Sequence, residues 1–260
     1  DSLPTGRNFH AVDGDILPTR IGYRLGEELA RKSVAGSKSD KGSEGIILWA
    51  SDAVRDEGVM VAFALAMMGA EPVWNARGIV TDVRLKPGVP RRDVIITTSG
   101  LFRDLYPNLN NLIDRAGRLA LAASAAALLE QQPELKEALN AALGPLATAQ
   151  WGRETVSDNR VAREWLNRLA ALEQAGLPTK EAGRAAAQRI FGDAPGAYGT
   201  GVNRLTERSG AWRERDEIGR AYRNRMGHAY GLDVAGEAAH AAFAGGMTRV
   251  SVCNTARLGW

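Results

Sequence analysis

Gly45-Ile46-Ile47-Leu48-Trp49-Ala50 is a short, continuous apolar run closed by Ser51-Asp52. Its length and lack of alternation suit a strand buried on both faces, as in a parallel sheet flanked by helices. Ser51 and Asp52 are then capping candidates, and residues 54–68 predict a helix with Val61, Leu65 and Met68 on one stripe. Gly69 ends that helix, and Pro72-Val73-Trp74 reads as the strand that completes a βαβ unit. Residues 79–85 alternate Ile79, Thr81, Val83 and Leu85 with polar neighbours, as a half-exposed edge strand does. Asp93-Val94-Ile95-Ile96-Thr97-Thr98 repeats the buried pattern. Strands separated by helices predict α/β architecture, with a small, doubly wound, mostly parallel sheet.

Outward from this layer the pattern changes. Residues 1–18 mix turn formers with apolar residues without a helical period. Thr19 can cap a helix whose apolar positions Ile21, Leu25 and Leu29 recur at i and i+4, and the Ser/Lys-rich stretch 36–42 breaks it. Downstream, Ser99-Gly100-Leu101-Phe102-Arg103-Asp104 turns the chain into a helix through Leu112, Ala116 and Leu119. Helical patterns then cover 119–129, 133–143, 159–175, 179–190, 212–226 and 234–243. The predicted organisation is an α/β layer over 1–118 followed by a predominantly helical region over 119–260, which carries a glycine-rich loop at 192–201. One interleaved unit is the alternative to two.

Composition narrows the function classes. With 45% hydrophobic and 24% charged residues the chain reads as globular, and its most apolar stretch, 119–129, is too short to cross a bilayer, so no membrane partner is expected. The formal charge is only +3, and arginines interleave with acidic residues along the helices, which argues against nucleic acid. A single cysteine, Cys253, excludes an internal disulfide framework and a cysteine-rich metal site, making a reducing, cytoplasmic setting the default expectation. The start at Asp1 without a methionine suggests a piece of a longer chain.

Three stretches concentrate chemistry. In Arg189-Ile190-Phe191-Gly192-Asp193-Ala194-Pro195-Gly196-Ala197-Tyr198-Gly199-Thr200-Gly201-Val202-Asn203 a helical pattern stops at Phe191. Gly196 and Gly199 there permit positive φ or close backbone approach, and Tyr198 is displayed or wedged. Ligands of open α/β sheets bind beyond the carboxyl ends of the strands, which singles out the loops at 51–52 and 99–104. Arg103 offers a fork for carboxylates and Asp104 can hold it in place; the same pair also reads as a helix-capping ion pair. Thr5-Gly6-Arg7-Asn8-Phe9-His10 supplies donors for an anionic ligand in Arg7 and Asn8, and in His10 a metal ligand or titrating group. His228 and His240 are twelve residues apart, which is not a helical ligand spacing. A Walker phosphate loop, a dinucleotide fingerprint in order and a Gly-x-Ser-x-Gly elbow are all missing.

Taken together, Leu3-Pro4-Thr5-Gly6-Arg7-Asn8-Phe9, Ser99-Gly100-Leu101-Phe102-Arg103-Asp104 and the Arg189-to-Val202 loop resemble the large subunit of aerobic cobaltochelatase, a relative of the porphyrin-binding subunit of magnesium chelatase. Arg225-Met226-Gly227-His228-Ala229-Tyr230-Gly231 is similar to the cobalt branch. The family's subunit is several times longer, so the resemblance implies an internal portion, and the tail 243–260 departs from the family's pattern. It further implies a corrinoid precursor, hydrogenobyrinic acid a,c-diamide, as bound tetrapyrrole, a cobalt ion as substrate, and ATP hydrolysed by separate partner subunits. Under it, His10 and Asp104 are candidates for base and ligand roles, with Arg7, Asn8 and Arg103 for substrate carboxylates. Tyr198 would supply stacking, with Gly196 and Gly199 shaping its loop. The metal-binding residues are left open. A non-catalytic scaffold of the same complex and a magnesium- or nickel-handling relative are the alternatives.

Overall fold

The computed structural model describes residues 13–36, 42–146, 150–207, 210 and 212–256. Thr19 begins the first helix as its spacing predicts, its hydroxyl accepting from Gly22 N at 3.0 Å, and α1 runs Arg20–Gly36. The apolar stripe read from the sequence is turned outward. Ile21, Leu25 and Leu29 are 58%, 50% and 45% exposed, while Gly22, Tyr23, Gly26 and Ala30 form the buried face. Small residues set that choice: a Cβ on Gly26 would lie 2.5 Å from Val59 O, so the two backbones touch there.

β1 (Ser43–Leu48) is the expected buried strand. The single helix expected over 54–68 is two, α2 (Ala50–Arg55) and α3 (Val59–Met67), because Glu57 and Gly58 take positive φ and reverse the chain between them. β2 (Ala70–Trp74) does not complete a βαβ unit. The Asn75 side chain accepts from Arg77 N and Ile79 N, folding the chain into an antiparallel pair with β3 (Val80–Leu85), a separate two-stranded sheet.

β4 (Val94–Thr98) is wholly buried and leads into α4 (Gly100–Leu105), whose N-cap Ser99 accepts from Phe102 N, and α5 (Pro107–Ala122). A helical layer follows: α6 (Ala125–Gln131), α7 (Lys136–Leu143), α8 (Arg160–Gln174) and α9 (Thr179–Ala187). The helix expected to reach residue 190 stops at Ala187, and β5 (Ile190–Gly192) carries the chain parallel to β4. Ile190 and Phe191 are fully buried there, on opposite faces of the sheet, a placement that helical winding would not give them. After α10 (Val202–Thr206) and α11 (Arg215–Met226), the helix expected over 234–243 is a hairpin strand and a shorter helix. β6 (His228–Gly231) and β7 (Val234–Ala238) pair antiparallel, then α12 (His240–Met247) and β8 (Val250–Thr255) follow.

The main sheet has the order β7-β6-β5-β4-β1-β8. Its four strands β5, β4, β1 and β8 are parallel, and the β6-β7 hairpin extends one edge antiparallel. Strands from both sides of residue 118 join it, and residue 118 itself lies within α5. Helices cover both faces. Ile46, Ile96, Phe102, Ile113 and Trp165 belong to the larger core, whereas Ile95, Phe191, Met226 and Phe243 form a smaller one on the other side.

Charge is locked in at the amino ends of the strands. Asp93, just before β4, accepts from Ser43 Oγ at 2.5 Å and from Arg168 Nη1 at 2.6 Å, with Arg189 Nη2 3.8 Å away. Burial alone would raise the Asp93 pKa, but Arg168 and Arg189 outweigh it and hold the carboxyl below its ordinary value. No helix among the described residues is long and apolar enough to cross a membrane.

Candidate functional site

At the opposite, carboxyl ends of β1, β4 and β5 the chain leaves a cleft of about 340 Å³. Trp49 and Ser51 follow β1, Thr98 ends β4 with Ser99 through Leu101 after it, and Asp193 follows β5; Tyr222 and Met226 of α11 close the remaining side. The glycine-rich loop forms its rim, placing Tyr198 at 63% exposure over the opening. Trp49 and Leu101 also present large apolar surface there, at 44% and 45% exposure.

Arg103 organises this end of the molecule. It is buried, and its Nη1 donates to Asp193 Oδ1 at 2.9 Å and to the carbonyls of Asp193, Ala194 and Ala197 at 3.1, 2.8 and 3.3 Å. Nε and Nη2 grip both oxygens of Asp104 at 2.6 and 3.0 Å. The fork expected to meet a ligand carboxylate is thus engaged by the protein's own loop, as the ion-pair alternative requires. Arg103 does not line the cleft. Asp104 also receives the Tyr198 hydroxyl at 2.7 Å. Hydrogen bonds from Arg103 hold its carboxyl below the usual range, which makes it a weak proton acceptor at neutral pH. The same Asp104 bond pushes the Tyr198 hydroxyl up.

Gly100 permits the loop to close. A Cβ there would lie 2.8 Å from both Ala197 O and Tyr198 Cδ1. Gly196 and Gly199 serve differently: their φ values are +76° and +85°, with open space where a Cβ would stand. Arg225 reaches back from α11 to the carbonyls of Gly199 and Tyr198 at 3.2 and 3.4 Å. Tyr230 of β6 donates to Asp193 O at 2.6 Å.

Arg103, Asp104, Tyr198, Gly196 and Gly199 are therefore brought together, whereas Arg7, Asn8 and His10 lie outside the described residues. The sequence reading missed Asp193. Its side chain is 1% exposed, and burial raises its pKa against the pull of Arg103. Oδ2 meets no donor among the described residues, and neither does the hydroxyl of buried Thr98. A strand at 190–192 would have marked Asp193 as the residue just beyond a carboxyl end. His228 and His240, distant in sequence, meet edge-to-face with ring centres 5.3 Å apart. No group of three or more His, Cys, Asp or Glu is arranged for a metal ion among the described residues.

The family model for CobN/Magnesium Chelatase matches residues 1–257. That span includes most of the tail expected to depart from the family's pattern, and the tail forms the end of α12 and β8. The aerobic cobaltochelatase subunit CobN of Pseudomonas aeruginosa is 35% identical over 96% of this chain and 18% of that protein. A magnesium-chelatase subunit of Rhodobacter capsulatus is 33% identical over 89% of this chain and 17% of that protein. The solved catalytic subunit of cobaltochelatase from Mycobacterium tuberculosis superposes with a TM-score of 0.73 at 28% identity, covering 94% of this chain and 18% of that one. The chain thus spans under a fifth of the length of these relatives.

Proposed function

Since the chain belongs to the CobN/magnesium chelatase family, we propose that it is a portion of the tetrapyrrole-binding subunit of an ATP-dependent cobaltochelatase, a ligase-type enzyme. In this reading the whole subunit binds a corrinoid precursor, hydrogenobyrinic acid a,c-diamide, and inserts cobalt, while partner subunits hydrolyse ATP. The observation that carries it is the cleft at the carboxyl ends of β1, β4 and β5, walled by Trp49, Leu101 and Tyr198. A flat, apolar macrocycle needs aromatic walls, and the cleft's volume of about 340 Å³ suits one edge of such a ring.

Chelation must strip water from a divalent cation, bend a stiff ring and remove two inner N–H protons. The residues here support what all three steps presuppose, holding the ring. Tyr198 is steadied by its hydrogen bond to Asp104 and by the Arg103 guanidinium over its ring, and it stays largely exposed at the cleft. Arg7, Asn8 and His10 retain their proposed roles toward substrate carboxylates and proton or metal handling. Cobalt, in preference to magnesium, rests on the resemblance carried by residues 225–231.

Absorbance titration of the chain with hydrogenobyrinic acid a,c-diamide and, in parallel, protoporphyrin tests the reading. Saturable corrinoid binding that weakens on Tyr198→Ala or Arg7→Ala supports it. A folded chain that binds neither ring favours the scaffold alternative, for which the complete engagement of Arg103 by its own loop is the supporting observation.

A further inference from the structure

α1 is apolar on two sides. Gly22, Gly26 and Ala30 are buried against the rest of the chain, while the larger Ile21, Leu25 and Leu29 stay exposed at i, i+4 and i+8. A surface helix needs one apolar side, and a second one kept in register belongs to a helix packed between two layers. The three side chains line a groove of about 610 Å³ with Val59 and Met60 of α3 and, at one end, Thr255 of β8. Every charged residue of that lining is engaged within the chain. Glu28 pairs with Lys32 at 2.8 Å and Arg55 with Asp52 at 2.6 Å, Asp56 accepts from Gly58 N and Val59 N at 2.9 and 3.1 Å, and Glu57 accepts from the Thr19 hydroxyl at 2.7 Å. A charged ligand therefore meets no unpaired charge among the described residues of the groove, and the contact on offer is apolar. The ridge from Ile21 to Leu29 is about 12 Å long and has the i, i+4 spacing that interdigitates with a second helix.

The sheet is open next to this groove. β8 is paired along one side only among the described residues, and its Val250-Ser251-Val252-Cys253-Asn254-Thr255 carries neither charge nor proline. The opposite edge strand, β7, is blunted by the Arg184–Glu237 pair and by Pro195, which packs so closely on Gly236 that a Cβ there would lie 2.4 Å from Pro195 Cγ. More than four fifths of each relative's length lies outside the part this chain matches, so a longer subunit has ample chain to cover that side.

We propose that the groove along Ile21, Leu25 and Leu29 is an internal docking surface of the longer subunit, and that it receives the apolar side of a helix from outside the matched residues 1–257. The inference rests on the chain's being a portion of such a subunit, and not on which ring the subunit binds.

The test puts a photoreactive phenylalanine analogue in place of Leu25, in the full-length subunit and in the 260-residue chain, and maps cross-links by mass spectrometry. In the subunit, cross-links are expected to residues outside 1–257 that lie three or four apart, as one side of a helix presents them. The chain by itself should give none to a second copy. Leu25→Ser, close to neutral in the chain, should raise the rate of proteolytic cleavage of the folded subunit several-fold, because a helix that has lost its seat opens more often. Any one of three results overturns the docking helix: no cross-link outside 1–257, partners that alternate as a strand's do, or a Leu25→Ser subunit cleaved at the parent's rate. Cross-links between two copies of the chain assign the groove to self-association and overturn it as well. Ring binding measured on the same subunit preparation keeps such a failure distinct from failure of the proposed function.

Discussion

Arg103 looks in sequence like a ligand-binding fork and acts in the fold as the anchor of a loop. Residue spacing gives the pairing with Asp104, one position away, but the bonds to residues 193–197 arise only when α4 and the segment after β5 meet in space. Arg103→Ala leaves buried Asp193 without its ion partner and should destabilise the chain by about 3–5 kcal/mol. Arg103→Lys, which cannot reproduce the planar fork, should recover only part of that in denaturant titration. Asp93 makes the same argument at the other end of the strands. Its carboxyl is held below the ordinary value in the fold, so the unfolded chain binds its proton more readily. The stability it contributes is present above the ordinary aspartate range and is lost as pH falls through the lowered folded value. Asp93→Asn should therefore flatten the acid limb of a stability–pH profile; an unchanged limb would show that Asp93 does not set it.

Among the elements, the longer buried runs were legible and the short strands were not. β1 and β4 announce themselves as continuous apolar runs, whereas β5 has three residues and joins the end of a helical pattern without a break. Three residues carry too little periodicity to separate the two, and only pairing with β4 decides it. That one boundary hid Asp193. α1 illustrates the converse, a clear period with the wrong face inferred, because close approach of Gly22 to Glu57 and of Gly26 to α3 outranks the larger side chains. Gly26→Ala should cost about 1–3 kcal/mol by wedging α1 from α3. Leu25→Ser, on the exposed face, should stay within about 0.5 kcal/mol of the parent by the same denaturant titration. In α4, Gly100→Ala should push the 193–201 loop away from the cleft. The expected readout is faster proteolytic cleavage within that loop, with the global unfolding midpoint little changed.

For the whole molecule, the α/β class and the parallel layer could be read from residues 45–98, but the sheet's full width could not. Its outer members come from the half that reads as helical, because an edge hairpin and a half-exposed edge strand carry weak apolar patterns. β8 is the clearest case: its Val252 is 47% exposed, yet it pairs in parallel with β1 from Ser43↔Val250 to Ile47↔Thr255. This pairing joins segments about two hundred residues apart, which imposes an order of events on a chain emerging from a ribosome. Until residues 250–255 arrive, β1 has an open hydrogen-bonding edge along an apolar strand, a template for other nascent chains. A chain ending at residue 248 should accordingly collect in aggregates on refolding, and addition of a peptide spanning 249–256 should suppress that loss. β8, made some two hundred residues after β1, is thus the strand that guards it.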